Sequence, residues 1–290
     1  MKTTNFGFPQ SEWTLQLVKN SLEEDIGSGD ATTIITTDHD GEIVARIVAR
    51  QPGVLAGLPM AEILFSEINP LVKIETIISD GDTVCPGDEV AVLRGPASAI
   101  LTGERTLLNF LQHLSGIATL TALYVEKVQG TKCKVLDTRK TMPGYRQLAK
   151  YAVRCGGGHN HRMGLYDRIM LKDNHWATAQ GRVAELVARG RNKFPGLDIE
   201  VEVDNFSQLE QVLALNVEWI MLDNFSFAET EKAVQMRNSA GVNSLLESSG
   251  NVTLETIARY AQTGVDAASV GRLTHSVPAL DLGLDMNLQE

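Results

Sequence analysis

The sequence predicts an α/β protein whose second half builds a parallel sheet, curled into an open or incomplete α/β barrel. Three observations carry this: recurring short apolar runs, helical patterns between them, and too little chain for a complete barrel. The runs are VLD ending at Asp137, RIMLKDN passing Lys172, IEVEVDN passing Glu202, WIMLDN ending near Asp223, SLLESSG near Ser249 and DAASVG ending at Gly271. Those positions are spaced by 35, 30, 21, 26 and 22 residues, one strand plus one helix each time. A full eightfold barrel takes about 250 residues, so six or seven strands are expected here.

The first hundred residues read as a separate, mixed unit. Ser11 caps a helix in which Leu15, Val18 and Leu22 recur on one face, and Gly-Ser-Gly-Asp at 27–30 closes it with a loop. Segments 42–50 (EIVARIVAR) and 72–78 (VKIETII) have strand character, with a short helix over 60–68 between them. The run SDGDTVCPGDEVAVLRGP at 79–96 has the turn-strand rhythm of biotinyl or lipoyl carrier domains, yet no lysine lies between Ile74 and Leu93 to carry a cofactor. It is therefore read as structural. Residues 102–128 form one long helix with Leu107, Leu111, Leu114, Ala118, Thr121, Val125 and Val128 on a single stripe, linking two domains.

Composition removes several classes of function. At 290 residues, 43% hydrophobic and 21% charged, the chain lies in the ordinary globular range. No apolar stretch reaches the roughly 18 residues of a membrane span, and the start, MKTTNFGFPQSEW, lacks the basic-then-apolar plan of a secretion signal. A cytoplasmic protein without membrane partners is expected. Cys85, Cys133 and Cys155 lie far apart with no C-x-x-C pair, so reduced thiols are the default. A net charge of -10 argues against nucleic acid as a partner. The charge is unevenly spread, however: from Lys132 to Lys172 ten Lys or Arg face only Asp137 and Asp167. With Pro143-Gly144, three glycines at 156–158, His159 and His161 in the same stretch, this cationic island reads as a pocket for small polyanions rather than a solvated face.

Ligands of parallel α/β folds sit at the carboxyl ends of strands, where loops converge and helix amino termini point N–H groups inward. Asp137-Thr138-Arg139-Lys140, Lys172, Glu202, Asp223-Asn224, Ser249-Gly250-Asn251 and Gly271 would share one such mouth. In IEVEVD the acids Glu200, Glu202 and Asp204 alternate with apolar residues, which suits either a ligand-filled mouth or an edge strand with one wet face. Asp223 reads as a helix-entry residue or, beside Glu202, as an oxygen ligand for Mg²⁺ or sugar hydroxyls. Ser249-Gly250-Asn251, ahead of a helix cap at Thr253, and Gly271 let backbone N–H groups approach a phosphate. His159-Asn160-His161 is a weak zinc signal and better suited to an anion, and packing is the safer reading of Cys155.

The block DTRKTMPGYRQLAKYAVRCGGGHNHRMGLYDRIMLKDNH at 137–175 resembles the signature of the quinolinate phosphoribosyltransferases. The likeness continues through GERTLLNFLQHLSG at 103–116, EVEVDN at 200–205, IMLDNF at 220–225, LESSGNVT at 246–253 and SVGRLTHSVPALD at 269–281. It covers nearly the whole chain. The resemblance implies an amino-terminal α/β sandwich domain over 1–116, to which 276–290 returns, and a type II phosphoribosyltransferase barrel over 117–275. It also implies transfer of phosphoribosyl from phosphoribosyl pyrophosphate (PRPP) to quinolinate with loss of CO₂, a step of NAD biosynthesis, with Mg²⁺ as cofactor. On this reading Lys140, Lys172, Glu202 and Asp223 are catalytic: the lysines take pyrophosphate, the acids the ribose and magnesium. Arg139, Arg162, His161 and Arg105 take the quinolinate carboxylates, and Ser249, Gly250, Asn251 and Gly271 the phosphate. Family members are dimers or larger, so the resemblance implies a homo-oligomer in which Arg105 reaches a shared site. Two other readings compete: a barrel aldolase or decarboxylase with Lys172 as Schiff-base lysine, and a non-enzymatic anion-binding protein.

Overall fold

The computed structural model describes residues 7–36, 41–178 and 182–287. The first residues of MKTTNFGFPQSEW, read above for a secretion signal, and the last three of 276–290 lie outside that set. In chain order the described strands are β1 (Glu42–Ala49), β2 (Gly53–Val54), β3 (Lys73–Thr76), β4 (Thr83–Val84), β5 (Glu89–Pro96), β6 (Lys134–Leu136), β7 (Ile169–Leu171), β8 (Ile199–Val203), β9 (Trp219–Asp223), β10 (Leu245–Ser249), β11 (Ala267–Ser269) and β12 (Leu282–Asn287). They fall into two units. One takes Met1–Ala122, Met142–Gly157 and Ser276–Glu290, the other Leu123–Thr141 and Gly158–His275.

The first unit is built on an antiparallel sheet ordered β12-β1-β5-β3. Its central strand β5 buries Val90, Ala91, Val92 and Leu93 in succession, as a strand covered on both faces does. The long helix starts earlier than its stripe predicts, at Ala97, and buries Leu107, Leu111, Leu114 and Ala118. Gly116 on this helix is a contact point for the returning chain end, because a Cβ there would stand 2.2 Å from the Pro278 carbonyl oxygen. Ser11 caps its helix as read, its Oγ accepting the Thr14 N–H at 3.3 Å. Within 79–96, Asp80 accepts N–H bonds from Gly57 and Leu58 at 2.7 and 3.0 Å, at the start of the helix Pro59–Ile68. Burial, and then the charge of Asp80, push the Cys155 thiol up to about 12. It is a packing residue, as expected.

The second unit holds six parallel strands ordered β6-β11-β10-β9-β8-β7. The outer strands β6 and β7 do not pair with each other, so the sheet stays open. A one-residue bridge from Leu136 to His159 adds a fragment of a seventh strand beside β6. The edge-strand reading of IEVEVD is overturned, since β8 lies between β7 and β9. The cap expected at Thr253 is also displaced. Residues 253–256 first make a tight turn, with Thr256 N–H on the Thr253 carbonyl at 3.2 Å, and the helix Ile257–Gln262 begins after it. No helix among the described residues is long and apolar enough to cross a membrane.

Candidate active site

At the carboxyl ends of the open sheet lies a cavity of about 320 Å³ lined by Thr138, Arg139, Lys140, His161, Arg162, Met170, Lys172, Met221, Ser249 and Ser269. Each lining residue sits on a strand or just beyond one. Thr138, Arg139 and Lys140 follow β6, His161 and Arg162 follow the bridge at His159, and Lys172 follows β7. Ser249 and Ser269 close β10 and β11. Six predicted site residues are thus brought together: Arg139, Lys140, His161, Arg162, Lys172 and Ser249.

Much of the structure around the cavity serves to hold cations close to one another. Asp137, fully buried at the end of β6, accepts the His161 N–H at 2.9 Å and the Asn160 amide at 2.6 Å, which fixes the loop carrying His161 and Arg162. Asp167 turns the same loop back by accepting N–H bonds from Met163 and Gly164 at 2.6 and 2.9 Å. The Arg162 guanidinium is tied to the Arg168 carbonyl at 3.1 Å. Burial, and then the neighbouring charge of Arg139, pull Arg162 below the ordinary arginine range. A guanidinium lowered in this way gains from an anion beside it. Lys140 packs against Gly271, where a Cβ would come within 3.0 Å of the lysine Cδ, and its carbonyl accepts the Thr274 hydroxyl at 2.8 Å.

The acids are placed differently. Glu202, half-buried on β8, pairs with Lys172, while its carbonyl accepts the Trp176 indole N–H at 3.1 Å. Asp223 ends β9 and accepts the Asn224 amide at 2.8 Å. Asn224 also organises the loop after β10: its backbone N–H reaches the Ser249 carbonyl at 2.9 Å, and its Oδ1 accepts from Asn251 at 3.2 Å. Gly250 has φ +85°, and a Cβ there would meet Asn224 Oδ1 at 2.1 Å, so only glycine fits the turn. Glu202, Asp223, Gly250, Asn251 and Gly271 do not line the cavity themselves, but they sit on strands or strand-end loops beside residues that do. Arg105 belongs to the first unit, exposed beside a hollow lined by Asp25, Asp30 and Thr102.

Two residues missed in the sequence, Glu247 and Arg168, join Glu200 in a group beneath the cavity. Glu200 and Glu247 are fully buried, and both converge on His161 Nε2, at 3.0 and 3.5 Å. Arg168 reaches Glu200 at 3.2 Å and stacks 5.0 Å from the Trp219 ring centroid. The other imidazole nitrogen, Nδ1, accepts the Arg162 N–H at 2.7 Å. The alternation of IEVEVD signalled Glu200, but nothing in LESSG distinguished Glu247 from a solvated acid.

An open α/β barrel with several cations gathered on one cavity at its strand ends defines a protein that handles small polyanions. The family model for the N-terminal domain of quinolinate phosphoribosyl transferase matches residues 30–115, and that for the C-terminal domain matches residues 117–285. The chain belongs to the quinolinate phosphoribosyltransferase family. Over 272 residues it is 45% identical to the carboxylating nicotinate-nucleotide pyrophosphorylase of Mycobacterium leprae, covering 93% of this chain and 95% of that one. It is 42% identical over 275 residues to a probable enzyme of the same name from Bacillus subtilis, covering 94% and 93%. The solved structure of the nicotinate-nucleotide pyrophosphorylase from Francisella tularensis superposes with a TM-score of 0.89 at 38% identity, covering 95% of this chain and 96% of that one.

Proposed function

We propose that the cavity of the second unit joins quinolinate to PRPP, releasing pyrophosphate and CO₂ and leaving nicotinate mononucleotide. The observation that carries this is the convergence of Arg139, Lys140, Arg162 and Lys172 on one cavity in a chain of net charge -10. Both substrates are polyanions, and the gain from binding them is largest where cations already repel one another.

Each group then has a task. Arg139 and Arg162 take the two carboxylates of quinolinate, since a guanidinium fork matches a carboxylate. Lys140 and Lys172 hold the pyrophosphate, whose charge grows as its bond to ribose C1 breaks. Glu202 and Asp223 stabilise the oxocarbenium-like ribosyl centre left behind, and the backbone of Ser249, Gly250, Asn251 and Gly271 receives the 5′-phosphate. When the pyridine nitrogen attacks C1 it becomes cationic. The C2–carboxylate bond can then break, its electron pair remaining at C2 beside the positive nitrogen until a proton arrives. Magnesium suits Asp223, an oxygen donor held by an amide, better than Glu202, whose carboxylate is already engaged by Lys172. When bound, it supplies further positive charge to the leaving pyrophosphate.

A homodimer or larger homo-oligomer completes the site on this reading, with Arg105 of one subunit serving its neighbour. Mixing Arg105→Ala and Lys172→Ala proteins should then restore up to roughly a quarter of wild-type activity, by the symmetry of a two-site dimer. No recovery in proven mixed dimers would remove Arg105 from a shared site. A cytoplasmic setting is consistent with three free cysteines. The decisive assay is release of CO₂ and pyrophosphate dependent on both quinolinate and PRPP, with nicotinate as control. Release with nicotinate alone, or trapping of Lys172 by borohydride with a carbonyl substrate, would overturn the assignment.

A further inference from the structure

The buried group beneath the cavity poses an electrostatic problem. Two carboxyls, Glu200 and Glu247, approach one imidazole nitrogen, and Arg168 pairs with Glu200. His161 accepts the Arg162 N–H at Nδ1, so Nε2 is the nitrogen that faces the two carboxyls. If both carboxyls were ionised, two negative charges would lie within 4.8 Å of each other in a fully buried setting, beside the His161 that lines the cavity. Resting on the reaction proposed above, we propose that Glu247 and Glu200 form a proton-sharing carboxyl pair and that Glu247 is a positioning residue for quinolinate recognition.

The contacts form a closed set. Glu200 holds the His161 ring and the Arg168 guanidinium; His161 holds the Arg162 N–H, and the Arg162 side chain holds the Arg168 carbonyl. A proton on Glu247 lets Glu200 keep its charge for these two partners. The groups around Glu247 agree. Burial, and then the charge of Glu200, raise it well above the ordinary carboxyl range, with Ser269 and Arg168 opposing only in part. For Glu200, burial is outweighed by His161 and Arg168, which hold it below that range. Cys133 nearby is pushed up to about 12, chiefly by burial, and adds no charge. The floor of the cavity is thereby electrically balanced beneath Arg139 and Arg162. Both nitrogens of His161 face protein groups, so the ring acts as a wall that orients Arg162.

The test compares Glu247→Ala with Glu247→Gln, because an amide can donate to Glu200 as the acid does whereas a methyl group cannot. Glu247→Ala should raise the KM for quinolinate about tenfold or more, the loss expected when a charged group's buried hydrogen bond is broken, and leave the KM for PRPP in place. Glu247→Gln should recover most of that loss. Infrared spectra of the wild type at neutral pH should show the carbonyl stretch of an un-ionised carboxyl, absent in Glu247→Gln. Equal losses for both substrates, or a folded Glu247→Gln as damaged as Glu247→Ala, overturns the positioning role. Absence of the band, or a metal ion bound one-to-one by His161, Glu200 and Glu247 in the purified wild type, overturns the shared proton. If Glu247→Ala does not fold, the band and Glu247→Gln decide. The infrared measurement uses no substrate, so it stands or falls apart from the assigned reaction.

Discussion

The two ends of the same six strands use charge in opposite ways. At the amino ends, Asp266 accepts from Arg237 at 2.8 Å, from Lys132 at 2.6 Å and from the Leu246 N–H at 2.9 Å, and Arg237 also donates to the Ser244 carbonyl at 3.1 Å. Burial would raise Asp266, but these partners outweigh it and hold the carboxyl low. At the carboxyl ends, burial and then the charge of Arg139 lower Arg162 instead, and Lys140 is exposed at the cavity. Charges that have found their partners secure the fold. Charges gathered beside others of the same sign suit an incoming anion.

Substitutions at either end should therefore have different signatures. The largest effect is expected from Asp266→Asn, which leaves Arg237 buried without its counter-charge and should cost about 3–5 kcal/mol of stability by denaturant titration, with turnover of the folded fraction preserved. Because the folded pKa of Asp266 is depressed, its contribution is present above the unfolded value and fades as pH falls; wild type and variant should converge below about pH 4. A Lys172→Ala protein should behave in the opposite manner, keeping its melting temperature and losing about a hundredfold in turnover. A fall in stability as large as that of Asp266→Asn would erase the distinction between the two ends.

Smaller changes sharpen it. Arg162→Ala should weaken quinolinate binding by roughly 1.5–3 kcal/mol while PRPP binding holds, as calorimetric titration of each ligand would show; equal loss for both would assign the guanidinium to general architecture. Gly250→Ala should be smaller still, about 1–2 kcal/mol of strain at φ +85°, felt in the KM for PRPP. Gly196→Ala, with open space around the added methyl, is the matching control and should change neither quantity.

The strands and their polar ends could be read from the sequence because a parallel strand and its helix impose a spacing that survives whatever side chains fill the sheet. That is why the spacing alone puts Lys140, Lys172 and Ser249 at one mouth. Periodicity tells which way a side chain faces, but it does not tell what meets it. Glu247 lies 47 residues from Glu200 and 86 from His161, so their convergence depends on the sheet order, in which β10 and β8 flank β9. Asn224 was likewise visible only as a neighbour of Asp223, although its contacts shape the loop at 249–251. The start of the helix after Thr253 was misplaced for a local reason: a threonine that caps a turn and one that caps a helix offer the same hydroxyl.

The return of β12 to β1 has a consequence for synthesis. Val44 through Ala49 take their partners from residues 282–287, and the Arg50–Asp285 ion pair joins positions 235 residues apart. On a ribosome, β1 emerges early and must wait for nearly the entire chain before this edge is covered. Meanwhile its N–H and C=O groups remain open to another nascent strand. The open barrel needs no such wait, since all of its strands lie between 134 and 269. In a growing chain, the open sheet can be finished while the antiparallel sheet still lacks β12.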